Sequence, residues 1–129
     1  MDKIKTVMIK QRIERQAYKF LEKTIELLGE SKHYKHTPYL SIEYSPESTG
    51  YDNLWRGEYD SEENEIIIYT KNIKGREDLA RTIVHEYAHY LQSPGWMQRY
   101  YDMGYNYKTH PYELEAYKVE EENWKKICK

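Results

Sequence analysis

The sequence predicts an α+β fold, in the order helix, small antiparallel sheet, helix, loop, helix, and three observations predict it. Apolar residues recur at three- and four-residue steps across 3–28, 76–92 and 110–127, the period of a helix with one buried face. Between the first two helical stretches, within residues 39–70, an alternating Leu40/Ile42/Tyr44 pattern and the short apolar run Ile66-Ile67-Ile68 lie between turn signals, as strands do. With 129 residues in all, the chain fits a single domain of ordinary size.

In the first helix, within residues 1–30, Ile4, Val7, Met8, Ala17, Leu21, Ile25 and Leu28 form the stripe, and Gly29 supplies the stop. A connector follows through Pro38. Leu40, Ile42 and Tyr44 mark a strand closed by Ser45-Pro46. Asn53–Tyr59 and Glu65–Thr70 flank Asp60-Ser61-Glu62-Glu63-Asn64 and read as an antiparallel hairpin, with Ile66-Ile67-Ile68 its most buried part. Its first strand carries Arg56 and Glu58, as a sheet edge does. The second helix spans 76–92, between Gly75 and Ser93-Pro94-Gly95. A tyrosine-rich loop is expected over Trp96–Lys108. The last helix opens at His110-Pro111, with proline suited to a first turn, and runs to Ile127.

Composition narrows the function classes. Fifteen Tyr and three Trp stand against one Phe, and 33% of residues are charged, which suits half-buried rings with hydroxyls that reach water or a partner. No run approaches the ~18 apolar residues of a membrane span, and the N-terminus has no signal-peptide core; a soluble cytoplasmic protein without a membrane partner is expected. The net charge of −2 does not advertise nucleic acid as a partner. Residues 1–23 hold seven Lys/Arg against three Asp/Glu, a solvated face that the Glu120-Glu121-Glu122 cluster would complement. The single cysteine, Cys128, rules out an internal disulfide and agrees with a reducing compartment.

The chemistry sits in His85-Glu86-Tyr87-Ala88-His89, an HExxH motif inside the second helix. Residues i and i+4 lie one turn apart on one face, so both imidazoles reach one ion. Glu86 is displaced about 100° round the helix, outside the ligand set but close enough to take a proton from a metal-activated water. Leu79, Ala80, Ile83, Val84, Tyr87 and Leu91 cluster opposite the histidine stripe, which also holds Asp78 and Thr82 as candidate supports for the ligands. Two exposed histidines on an ordinary amphipathic helix are the plain alternative. A catalytic zinc ion takes three protein ligands, and His110, Glu113 and Glu115 are the downstream candidates. Glu113 extends the inward stripe Ala116, Tyr117, Trp124 and Ile127, whereas Glu115 falls on the wet face with Lys118, Glu122 and Lys126. His85, His89 and Glu113 are thus the expected ligands of one Zn²⁺, with cobalt or manganese compatible with the same donors.

HEYAH, followed by a glutamate on a later helix with Ala three residues on (Glu113-Leu114-Glu115-Ala116), resembles the gluzincin metallopeptidases. Size and layout over residues 39–127 are most similar to the archaeal minigluzincins, the proabylysin and projannalysin group. Many relatives place Asp or Asn after that alanine to support a histidine; this chain has Tyr117 there. The resemblance implies zinc-dependent peptide-bond hydrolysis with Glu86 as general base, and a peptide or protein substrate laid antiparallel to the edge strand Asn53–Tyr59. It also implies a latent form obstructed by the C-terminal segment, and a homodimer through the C-terminal helix.

Tyr105, Tyr107 and His110 are candidates to donate to the oxyanion. Tyr100, Tyr101, Tyr105 and Tyr107 read as cleft wall or loop packing. Cys128 could approach the metal as a silencing thiolate or be a plain small side chain. Two other functions remain open at this point: a zinc-holding regulatory or interaction protein, which has no need of Glu86, and a nucleic-acid-associated protein using the basic first helix.

Overall fold

The computed structural model describes residues 3–46 and 54–129. Helix α1 (Lys3–Leu28) is followed by strands β1 (Tyr39–Glu43), β2 (Gly57–Asp60) and β3 (Glu65–Tyr69). A 3₁₀ turn (Thr70–Asn72) leads to α2 (Arg76–Leu91), a short α3 (Trp96–Asp102) and α4 (Pro111–Ile127). The α+β layout is the expected one. Asn53 lies outside the described residues.

The sheet is mixed, not antiparallel throughout: its order is β1-β3-β2, with β1 parallel to β3 and β2 antiparallel to it. After β1 the chain passes the central position to lay down β2 at the far edge. The hairpin then returns β3 into the middle, alongside β1 and in the same direction. Alternation of side chains is the same in both pairings, so sequence pattern could not tell them apart. The hairpin turn is held by Asp60, whose Oδ1 accepts the N–H groups of Glu62 (2.9 Å) and Glu63 (3.2 Å). Asn64 takes the left-handed conformation there (φ 52°), which Asn tolerates.

Helix α2 is the centre of the molecule. Leu79, Ala80, Ile83, Val84, Tyr87 and Tyr90 form the core with Phe20 and Leu21 of α1, Ile66 and Ile68 of β3, and Ile127 of α4. Because α1, the sheet and α4 surround it, α2 is buried on its histidine side as well as on its apolar side. The tyrosines go deeper than composition suggested. Tyr87 and Tyr90 are fully buried, and their hydroxyls serve the connector: Tyr87 donates to Gly29 O, while Tyr90 donates to His36 O (3.2 Å) and accepts from Ser31 N–H (3.1 Å). Each ring fills core and each hydroxyl bonds the backbone of the connector.

Two expectations fail locally. Among the described residues the apolar stripe of α1 joins the core from Ile13 onward, while Val7 and Met8 remain 53% and 59% exposed. The expected loop 96–108 begins with α3, launched from Gly95 in the left-handed region (φ 90°). Among the described residues no helix is long and apolar enough to cross a membrane.

Candidate metal centre

Helices α2 and α4 pack together more extensively than any other pair, and the candidate ligands face each other across that contact. His85 Nε2 lies 3.3 Å and His89 Nε2 2.5 Å from the same Glu113 oxygen, Oε1. All three residues contribute atoms within 4.8 Å of one another, and each side chain is less than a tenth exposed. Glu115 is exposed and accepts instead from Gln92 Nε2 (3.2 Å). The periodicity of α4 therefore selected the carboxylate that meets the histidines.

The donor set fits a metal ion. Bonds of ~2.0–2.1 Å at tetrahedral angles leave ligand atoms about 3.3 Å apart, the His85–Glu113 spacing already present; His89 and Glu113 need only open by under about 1 Å. The far nitrogens are spoken for, which is the arrangement metal-binding imidazoles require. His85 Nδ1 meets Glu120 Oε1 at 3.1 Å, and His89 Nδ1 meets Gln92 Oε1 at 2.7 Å. With Nδ1–H donated outward on both rings, each Nε2 points at Glu113. Gln92 also donates to Tyr112 O (2.9 Å), so one side chain at the end of α2 steadies both His89 and the first turn of α4.

Without a metal the cluster is a charge triad. Burial opposes a charge on His85, but Glu113 and Glu120 outweigh it and the imidazole is pushed up to about 10. His89 moves the same way: burial again opposes, and Glu113 and Glu86 prevail. Burial works against ionised Glu113 too, yet hydrogen bonds from the two histidines hold it down at about 2. Glu86, 8% exposed, is pushed up by burial against the pull of His89 and His85, with the charges of Glu113 and Glu58 adding to the rise.

These groups line a cleft of about 420 Å³ bounded by β2, α2, the residues after α2, and α4. β2 is an edge strand, and it approaches α2 closely at Gly57: a Cβ there would stand 2.8 Å from both Ile67 O and Thr82 Cγ2. The other sheet edge is partly covered, since Tyr18 of α1 donates to Leu40 O of β1 (3.4 Å). Tyr101, Tyr107 and Tyr117 line the cleft. The Tyr107 and Tyr117 hydroxyls share a hydrogen bond (2.8 Å), and the Tyr117 ring stands edge-on to His85, 4.5 Å between centroids.

Several sequence expectations are corrected here. His110 is no oxyanion donor: fully buried, it caps α4 by accepting Tyr112 N–H at Nδ1 (3.1 Å) and donates from Nε2 to Met97 O (2.9 Å), so both nitrogens are spent. Tyr105 packs edge-on to Tyr100 outside the cleft lining, which leaves Tyr107 of the named tyrosines. Asp78 does not support a histidine; it accepts from Lys74 N–H (2.8 Å) and pairs with Arg56 (2.8 Å). Thr82 donates to Asp78 O (2.7 Å). Tyr117 is not inward but 46% exposed. The acidic cluster serves α2, not the basic first helix, through Arg81 contacts to Glu120 (3.1 Å) and Glu121 (2.7 Å).

Cys128 packs against the core with its carbonyl on Arg76 (2.9 Å), away from the cleft lining. Lys129 O accepts from Lys23 of α1 (2.7 Å), so Lys129 lies against α1. Glu120 and Gln92 are the residues that sequence reasoning missed. Glu120 carried a signal, since it lies seven residues after Glu113 and so on the same face of α4. Comparison of the chain with protein-family models, curated proteins and solved structures found no match.

Proposed function

We propose that the chain is a zinc-dependent metallopeptidase in which His85, His89 and Glu113 hold the ion and Glu86 is the general base. The observation that supports this reading is the convergence of two Nε2 atoms on one buried carboxylate, in a cleft that also holds Glu86 and borders an edge strand. When bound, the ion supplies Lewis-acid activation of a water molecule and of the substrate carbonyl.

Glu86 receives the proton as water attacks the scissile carbonyl and delivers it to the leaving nitrogen as the peptide bond breaks. Burial raises its affinity for that proton, which moves a carboxylate toward the range where it works as a base near neutrality. An extended peptide pairs with the outer edge of β2, main chain to main chain, and its side chains alternate into and out of the cleft. Tyr107 is the oxyanion donor: with Tyr117 donating in the bond between their hydroxyls, the Tyr107 hydroxyl proton is left to be donated. A purely structural metal site has no use for a buried acid beside its first histidine. The lone free thiol of Cys128 suits a reducing, cytoplasmic setting.

The test is hydrolysis of a fluorogenic peptide library by the zinc-loaded chain and by Glu86→Gln. The wild type should cleave, and the variant should retain zinc while losing roughly 10²–10⁴-fold in rate. A zinc-loaded wild type that cleaves nothing would leave a non-hydrolytic metal protein as the correct description.

A further inference from the structure

We propose that Glu120 is the positioning residue for His85 and that Arg81 is the clamp that holds Glu120 in place, an inference that rests on the metal-centre reading above. Glu120 follows Glu113 by seven residues on α4, and Arg81 precedes His85 by four on α2. Two turns on one helix and one turn on the other bring a ligand and its support onto matching faces. Tyr117, four residues after Glu113, packs its ring on His85 and bonds Tyr107 through its hydroxyl, so it does not serve the His85 Nδ1. The acceptor comes from Glu120, one turn further along.

Both Glu120 oxygens are engaged. Oε1 accepts from His85 Nδ1 at 3.1 Å, and Oε2 accepts from Arg81 Nη1 at 3.1 Å. The carboxylate is therefore pinned at two points, not left to swing about its stem. Arg81 is itself immobilised: Nε bonds Glu77 (3.0 Å), Nη1 bonds Glu121 (2.7 Å), and the guanidinium lies 4.6 Å from the Trp124 ring centroid. A planar, multiply bonded guanidinium over an aromatic ring is a rigid anchor, which a lysine in its place is not. The line Trp124, Arg81, Glu120, His85 thus runs from the outer face of the α2–α4 contact to the Nδ1 of the candidate ligand His85. It holds the imidazole as the Nδ1–H tautomer with Nε2 free for the ion. His89 has only the neutral Gln92 carbonyl at the equivalent nitrogen (2.7 Å), so the two imidazoles differ in the charge of the group that holds them.

Zinc affinity measured by competition with a chromophoric chelator tests this, on wild type, Glu120→Ala, Glu120→Gln, Arg81→Met and Glu122→Gln. Removing a carboxylate that supports a ligating histidine costs roughly 10–100-fold in metal affinity. Glu120→Ala should show that loss, Glu120→Gln a smaller one because an oxygen acceptor remains, and Arg81→Met an intermediate one. Glu122→Gln, which removes a neighbouring charge on the exposed face of α4 that touches neither Arg81 nor His85, should bind zinc as the wild type does. Nitrogen chemical shifts of His85 in the zinc-loaded protein should report Nδ1–H in the wild type and a tautomer mixture in Glu120→Ala. Thermal unfolding of the metal-free variants separates a positioning effect from general loss of structure. Equal zinc affinity in Glu120→Ala and wild type would overturn the positioning role; an unchanged Arg81→Met beside a weakened Glu120→Ala would overturn the clamp. A wild type that binds no zinc would instead remove the metal-centre reading beneath both.

Discussion

Zinc uptake should release protons even at pH 8, and the amount follows from the charge triad. Metal binding needs the Nε2 lone pairs, so any proton held there must leave. An imidazole with the ordinary value of 6.5 is about 97% neutral at pH 8 and releases almost nothing; between pH 6 and 8 it contributes only about fourfold to apparent affinity. His85 sits between Glu113 and Glu120 and is pushed up to about 10. It is therefore protonated throughout that interval, and displacing its proton makes affinity rise about tenfold per pH unit, or about 100-fold from pH 6 to 8. His89 is shifted in the same direction and adds to the dependence.

The assay is calorimetric titration with zinc at pH 8 in two buffers of different ionisation enthalpy, which counts protons directly. At least one proton per zinc is expected. A count near zero, together with a total affinity change of about 16-fold or less from pH 6 to 8, would mean two ordinary histidines and would refute the triad. The same shifts govern the metal-free fold. His85, raised above its unfolded value of 6.5, contributes stability that is complete below that pH and is lost as pH rises towards about 10. Glu113, depressed from 4.5 to about 2, contributes above its unfolded value and loses that contribution as pH falls towards 2.

Gly57→Ala should destabilise the chain by about 1–3 kcal/mol in urea unfolding, because the new Cβ meets the Ile67 carbonyl oxygen and Thr82 Cγ2 at 2.8 Å; an unchanged midpoint would mean β2 does not lie so close to α2. Tyr107→Phe should lower kcat by roughly 10²–10³ with KM little changed, whereas an unaltered kcat would remove it as oxyanion donor. His110→Ala should cost about 1–2 kcal/mol through the lost cap yet leave the zinc stoichiometry unchanged, which elemental analysis would check. Val7→Ala and Met8→Ala should each change stability by less than about 0.5 kcal/mol, against about 3–5 for Phe20→Ala in the core.

Much of the site was legible because its logic is local. His85 and His89 share a face by helix geometry alone, and α4's own periodicity separated Glu113 from Glu115 without knowledge of any partner. What sequence could not supply depends on which surfaces meet. Glu120 read as one member of an acidic run with Glu121 and Glu122; only the α2–α4 contact singles it out, by bringing His85 and Arg81 to its two oxygens. The parallel pairing of β1 with β3 follows from strand order in space, to which side-chain alternation is blind. The apolar residues at the start of α1 carry a helical pattern, but pattern does not say where the packing surface ends. His110 was misjudged for a related reason: a histidine beside a helix-opening proline is equally suited to a cleft and to a cap, and its two hydrogen-bond partners decide for the cap.

The zinc content of the purified protein, beside Glu113→Gln and Glu115→Gln, reads out the ligand set His85, His89 and Glu113. About one zinc per chain is expected in the wild type and in Glu115→Gln, and its loss in Glu113→Gln. Zinc retained in Glu113→Gln, or none in a reconstituted wild type, would contradict it.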